Sequence, residues 1–129
     1  MPKRILLIEH DKKRGFHFAK TINKNGYSCD VVNDGISAIE QYVHMLGKGT
    51  SYDLILLDAH LPNSDTAITS TAIRSIEREY MRIHRGFVPI IGLTDDSRIG
   101  KDDGKQMGMT TVKPKPIDGK DLLAVLMTQ

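Results

Sequence analysis

The chain has 129 residues, 40% hydrophobic and 26% charged, which is the make-up of one soluble globular domain. Its 18 Lys and Arg against 16 Asp and Glu leave a net charge of +2, too small an excess to argue for a nucleic-acid surface. The single Cys29 excludes an internal disulfide and a structural zinc site of conventional spacing. No apolar run approaches the roughly 18 residues of a membrane span. The first apolar run is also too short for a signal-peptide core, so a cytoplasmic location is expected.

Short apolar runs alternate with longer amphipathic stretches. Ile5–Ile8 predicts a first strand, buried on both faces. A helix follows, with Phe18 and Ile22 four apart and Gly26 as its C-terminal cap. Tyr27–Val32 reads as a more polar strand near an edge, with Cys29 buried in it. In the second helix Ile36, Ile39, Val43 and Leu46 form the stripe, Asn33 or Asp34 caps the start, and Gly47 ends it. Leu54–Leu57 predicts the third strand. The third helix spans about 66–85, with a stripe of Ile68, Ala72, Ile76, Tyr80 and Ile83. Arg74, Arg78, Arg82 and Arg85, interleaved with Glu77 and Glu79, read as its solvated face. Val88–Leu93 is the fourth strand. A weak helix over about 98–107 follows, interrupted by Gly100, Asp102, Asp103 and Gly104. Thr110–Val112 is a short fifth strand, and a helix over about 119–127 carries Leu122, Leu123 and Leu126. Met81 and Met107 read as core or interface filler.

Five β–α units in strict alternation imply a doubly wound α/β sheet with right-handed crossovers. Ligands of such sheets sit at the carboxyl ends of the strands. Those ends carry Glu9, His10 and Asp11, then Asp58, then Thr94, Asp95 and Asp96, then Lys113-Pro114-Lys115-Pro116. Two carboxylates about 4 Å apart repel by about 4 kcal/mol at an effective dielectric of about 20, so they need a cation or a proton between them. Mg²⁺ suits carboxylate oxygens. A carboxylate beside it can attack a phosphoryl group, while a lysine and a hydroxyl hold the phosphoryl oxygens. The cluster therefore points to phosphoryl chemistry on an aspartate.

The pattern resembles the receiver domain of two-component response regulators over Lys3 to Leu126. Tyr52–Asp58, Leu61-Pro62, Asp65, Pro89–Thr94, Gly108-Met109, Lys115–Asp118 and Leu122 carry the likeness. The resemblance implies a flavodoxin-like (βα)5 fold with a five-stranded parallel sheet in the order 2-1-3-4-5. It implies a signalling domain rather than an enzyme, accepting phosphate on Asp58 from a histidine kinase or histidine phosphotransfer protein. By the same resemblance Thr94 and Lys115 contact the phosphoryl group, and a cis peptide precedes Pro116. Glu9, Asp58 and the His60 backbone would serve a Mg²⁺ site, and His60 and Asp96 flank the phosphoryl group as modulators. Val112 stands at the switch position. Lys113-Pro114 is set aside in favour of Lys115 because Ile117-Asp118 and Leu122 follow it.

Several positions depart from the family. His10 stands where an aspartate ligand of Mg²⁺ is usual, and imidazole is a poor Mg²⁺ donor. Weakened Mg²⁺ binding, or none, is expected. Asp11 should point elsewhere. Val112 replaces an aromatic, Thr66 replaces a glycine, and Asp95 replaces a small residue and could crowd or repel the incoming group. His60 and Asp96 could pair across the pocket mouth and limit water access; two solvated loop residues are the plainer alternative. The alternative function is a pseudo-receiver, a phosphate-independent interaction module with a degenerate metal site. A haloacid-dehalogenase-type phosphatase ranks below both, because it needs an acid where His60 stands. Gly47–Ser51 follows a helix and is no phosphate loop. A receiver would fill residues 1–129, so action through a separate output partner, or origin in a parent hybrid kinase, is expected.

Overall fold

The computed structural model describes residues 3–80 and 87–128, without the side chains of residues 126–128. Five strands, β1 (Arg4–Ile8), β2 (Ser28–Val32), β3 (Leu54–Asp58), β4 (Ile90–Thr94) and β5 (Thr111–Pro114), form one parallel sheet in the order β2-β1-β3-β4-β5. Between and after them run α1 (Lys12–Lys24), α2 (Gly35–Gly47), α3 (Asp65–Tyr80), α4 (Lys101–Gln106) and α5 (Gly119–Thr128). A short 3-10 turn, Pro62–Ser64, leads into α3. The doubly wound flavodoxin-like fold expected from the alternation and the resemblance is the one observed.

The apolar runs work because successive strand residues face opposite sides. Leu6, Ile8, Ile55, Leu57 and Ile90 enter one core with Ala38, Tyr42 and Met45 of α2 and Ile73 of α3. Ile5, Leu7, Leu54, Leu56, Ile91 and Leu93 enter the other with Phe18 and Ile22 of α1 and Leu122 and Val125 of α5. Both faces being covered, β3 and β4 carry no polar residue before their carboxyl ends, and β1 none after Arg4.

Helix faces were less legible. In α2 the buried residues are Gly35, Ala38, Tyr42 and Met45, while Ile36 and Val43 are exposed. The expected stripe is displaced because Tyr42, with a ring to bury, takes the core. In α3 Ile68 and Tyr80 are exposed, and Thr66, Thr69, Ser70, Ile73 and Glu77 are buried. Ile83, Arg82, Arg85, Met81 and His84 lie outside the described residues, as does the side chain of Leu126. Arg74 is not solvated: its Nη1 donates to Glu77 Oε1 at 2.7 Å and to Val88 O at 2.7 Å, and its Nε donates to Gly108 O at 2.7 Å.

Helix ends follow their caps. Asp11 accepts from Arg14 N and Asp34 from Ser37 N, each as the N-cap expected of a short polar side chain. Asp11 therefore does point away from the strand ends. Gly26 takes φ +88° just past α1. At α2 it is Gly49, with φ +79°, that follows the last turn, and Gly47 stays helical. Helix α4 has only six residues, Lys101–Gln106, shorter than expected. Gly104 belongs in it nonetheless, because a Cβ there would come within 2.6 Å of Val112 Cγ2.

Candidate functional site

Asp58 ends β3, a strand buried at every residue, and is itself 1% exposed. Its main chain is tied to the start of α3: Thr66 Oγ1 donates to Asp58 O at 2.9 Å and accepts from Leu61 N at 3.0 Å. Asn63 and Ser64, with φ 60° and 62°, make the tight turn between. In sequence Thr66 shows only as a replaced glycine; a threonine following an aspartate gives no signal that it will fasten this loop.

Glu9 continues past β1, its N–H donating to Val32 O at 3.0 Å and its carbonyl accepting from Asn33 Nδ2 at 2.9 Å. It too is 1% exposed. Lys115 lies before a cis Lys115–Pro116 bond, and its N–H donates to Thr94 O at 2.9 Å. Its Nζ donates to Glu9 Oε1 and to Asp58 Oδ1, both at 3.1 Å. Lys113, by contrast, is exposed on β5.

Each acid thus uses one oxygen for the ammonium and turns the other toward His10. His10 Nδ1 is 2.6 Å from Asp58 Oδ2 and 3.3 Å from Glu9 Oε2. Two buried carboxylates are kept close by an ammonium on one side and an imidazole on the other. Burial raises the Asp58 carboxyl, but the His60 N–H, the Glu9 and His10 side chains and Lys115 together outweigh it and hold it below the usual carboxylate range.

Thr94 ends β4 and is buried. His60 Nε2 lies 2.6 Å from Thr94 Oγ1, and Asp96 N donates to the same oxygen at 2.9 Å. The considered His60–Asp96 pair is not formed. Arg98, two residues further on, takes the Asp96 carboxylate with Nε at 3.0 Å and Nη2 at 2.9 Å, a planar fork that an imidazole cannot match. The backbone N–H of His60 donates to Asp58 Oδ1 at 2.9 Å. Asp95 is exposed, and its charge is met by Arg14 Nη1 at 3.3 Å. His10, Arg14, Asp58, His60, Asp95 and Lys115 line a cleft of about 610 Å³ at these strand ends. Val112 lies on β5 opposite Gly92, half-buried below α4 rather than at the cleft.

Glu9, His10 and Asp58 are the one group of possible metal-ligand side chains among the described residues, with ligand atoms within 4.8 Å of one another. The set is two carboxylate oxygens and one imidazole nitrogen. Magnesium takes oxygen donors and holds its waters tightly, and imidazole suits softer cations. With the His10 nitrogen at the cation-facing oxygen of Asp58, these residues do not fit a Mg²⁺ site.

No family model matches the chain. The chain is 34% identical over 128 residues to hybrid signal transduction histidine kinase B of Dictyostelium discoideum, covering 94% of this chain and 6% of that protein. Among solved structures it resembles the receiver domain of the sensor histidine kinase PA1611 of Pseudomonas aeruginosa, which holds a magnesium ion in its active-site cleft. That likeness has a TM-score of 0.76 and 29% identity over 99% of this chain and 97% of that one. It also resembles a structure of the Saccharomyces cerevisiae histidine phosphotransfer protein Ypd1 with the receiver domain of the response regulator Ssk1. There the TM-score is 0.77 and the identity 20%, over 98% of this chain and 87% of the other. The second structure speaks for the fold alone, while the two kinases share 34% and 29% of their residues with this chain as well. Fold and sequence agree, and the chain belongs to the receiver domains of two-component signalling.

Proposed function

We propose that this chain accepts a phosphoryl group on Asp58 from a phosphohistidine of a histidine kinase or histidine phosphotransfer protein. The observation that carries the reading is the placement of Asp58: ionised by its surroundings, fixed at a strand end, and opening on a cleft beside Lys115 and His60, the latter bonded to Thr94. An Asp58 carboxylate oxygen attacks phosphorus, the phosphorus–nitrogen bond breaks, and the donor histidine keeps the electron pair and takes up a proton. Lys115 would then shift its ammonium toward the phosphoryl oxygens, and Thr94 would leave His60 to bond another of them. The added charge falls beside Glu9, where the Lys115 ammonium offsets it. The relative that is a hybrid histidine kinase supports a phosphohistidine donor. The reading makes this a cytoplasmic signalling module, not an enzyme with a separate substrate, passing its state to an output partner or a parent kinase.

A second reading rests on the same imidazole. With His10 on Asp58 Oδ2 and the usual metal set broken, the chain would serve as a pseudo-receiver that binds partners without phosphate. Val112 in place of a mobile aromatic is consistent with it. Incubation with a small acyl phosphate and a panel of divalent cations separates the two. An acid-labile phosphoryl mass increment, lost in Asp58→Asn, supports the phosphoacceptor. No increment with any cation or with a phosphohistidine donor leaves the pseudo-receiver.

A further inference from the structure

We propose that Glu9, His10 and Asp58 bind an imidazole-accepting divalent cation, Zn²⁺ foremost, in preference to Mg²⁺. The proposal concerns the site of the phosphoacceptor reading, and rests on Asp58 as a ligand there, not on its phosphorylation.

Lys115 divides the site. By holding Glu9 Oε1 and Asp58 Oδ1 at 3.1 Å each, it commits one oxygen of each acid. The remaining oxygens, Glu9 Oε2 and Asp58 Oδ2, converge on His10 Nδ1 at 3.3 and 2.6 Å. Two ligand atoms each about 2.1 Å from a zinc ion at a tetrahedral angle are about 3.4 Å apart. Both carboxylate oxygens therefore already stand near that spacing from the His10 nitrogen, with all three atoms within 4.8 Å of one another, and opening the shorter His10–Asp58 pair to it asks for under about 1 Å.

The supports are those a metal site needs. Asp58 is held by the His60 N–H, and Glu9 Oε2 accepts from Asp11 N at 3.1 Å, so both acids are oriented before any cation arrives. Both are 1% exposed, whereas the His10 side chain is 42% exposed, so the imidazole forms the open edge through which a cation enters and where water completes its shell. Charge agrees. Two carboxylates less one ammonium leave a single negative charge for a dication, and a neutral imidazole adds a donor without adding charge. A hard cation gains little from that donor; a borderline one gains a strong bond.

Calorimetry with Zn²⁺ and with Mg²⁺ on the full chain tests this, with Co²⁺ as a visible-absorbing probe of the imidazole. Since most sites prefer zinc to magnesium to some extent, the deciding quantity is how the ratio of the two affinities responds to residue 10. One Zn²⁺ should bind per chain, with affinity lowered at least about tenfold in His10→Ala, along with loss of the Co²⁺ visible band. In His10→Asp, Mg²⁺ affinity should rise at least about tenfold and the zinc-to-magnesium ratio should fall about a hundredfold. His17 and His44 are exposed, so Zn²⁺ binding unchanged in His10→Ala would mark a surface site and overturn the proposal. A wild-type Mg²⁺ affinity equal to that of His10→Asp would overturn it as well. Failure of Asp58 to take a phosphoryl group with any of the cations or from a phosphohistidine donor would sink the phosphoacceptor reading and leave the metal preference intact.

Discussion

His60 reaches from the loop after β3 to the hydroxyl at the end of β4, its Nε2 2.6 Å from Thr94 Oγ1. That hydroxyl also accepts from Asp96 N, so it is already engaged on the protein before any phosphoryl group arrives. If Thr94 must turn to a phosphoryl oxygen, the His60 contact is lost first. A hydrogen bond of this kind contributes about 1 kcal/mol, or about fivefold in a rate. His60→Ala should therefore speed acyl-phosphate-dependent labelling of Asp58 by about fivefold, read by intact mass against time. An unchanged rate would show that the contact does not restrain Thr94.

Glu77 makes a prediction far from the cleft. Fully buried in α3, it accepts from Arg74 Nη1, from Val88 N at 2.7 Å and from Tyr42 Oη at 3.1 Å. It thereby fastens α3 to α2 and to the start of β4. Removing one partner of a buried ion pair strands the other charge, a loss of about 3–5 kcal/mol. Glu77→Ala should lower the unfolding free energy by that amount, read as a lower urea midpoint at unchanged slope, and Glu77→Gln by less, since its amide oxygen can still accept from Val88.

These two networks also mark where the sequence stops speaking. Ile5–Ile8 and Leu54–Leu57 read as strands because a sheet covered on both faces buries every residue of such runs. The strand ends drew attention to Glu9, Asp58, Thr94 and the Lys113–Lys115 stretch together, and it was the receiver resemblance that singled out Asp58, Thr94 and Lys115 among them. The buried face of α3 could not be picked out, since Thr69, Ser70 and Glu77 look like a solvent face in sequence and yet are buried. The His60–Thr94 contact was equally hidden: the outcome depended on Arg98 occupying Asp96, a competition between side chains that spacing does not encode.

Two glycines should respond with opposite signs. A Cβ on Gly104 would lie 2.6 Å from Val112 Cγ2, so α4 cannot rest on β5 without moving. Gly104→Ala should cost about 1–3 kcal/mol by overpacking, despite the better helix propensity of alanine. Gly47 is helical with nothing within 4 Å of its Cβ position. Gly47→Ala should stabilise by about 0.5 kcal/mol through the unfolded chain. Thermal melts of the two variants side by side check this, and a shift in the same direction for both would contradict the packing assigned to α4.

Cys29, half-buried on β2, carries a thiol pushed up to about 12 from 9.0, first by burial and then by the Asp30 charge. At pH 8.5 it should therefore hold about a thousandth of the thiolate of an unfolded cysteine and react with iodoacetamide correspondingly slowly. The folded state favours the neutral thiol, so this group's contribution to stability is complete below pH 9 and declines as pH rises from there toward 12. Alkylation rates at pH 8.5, native against urea-unfolded, measure the first effect. A native rate near the unfolded one would place Cys29 in water and overturn the assignment.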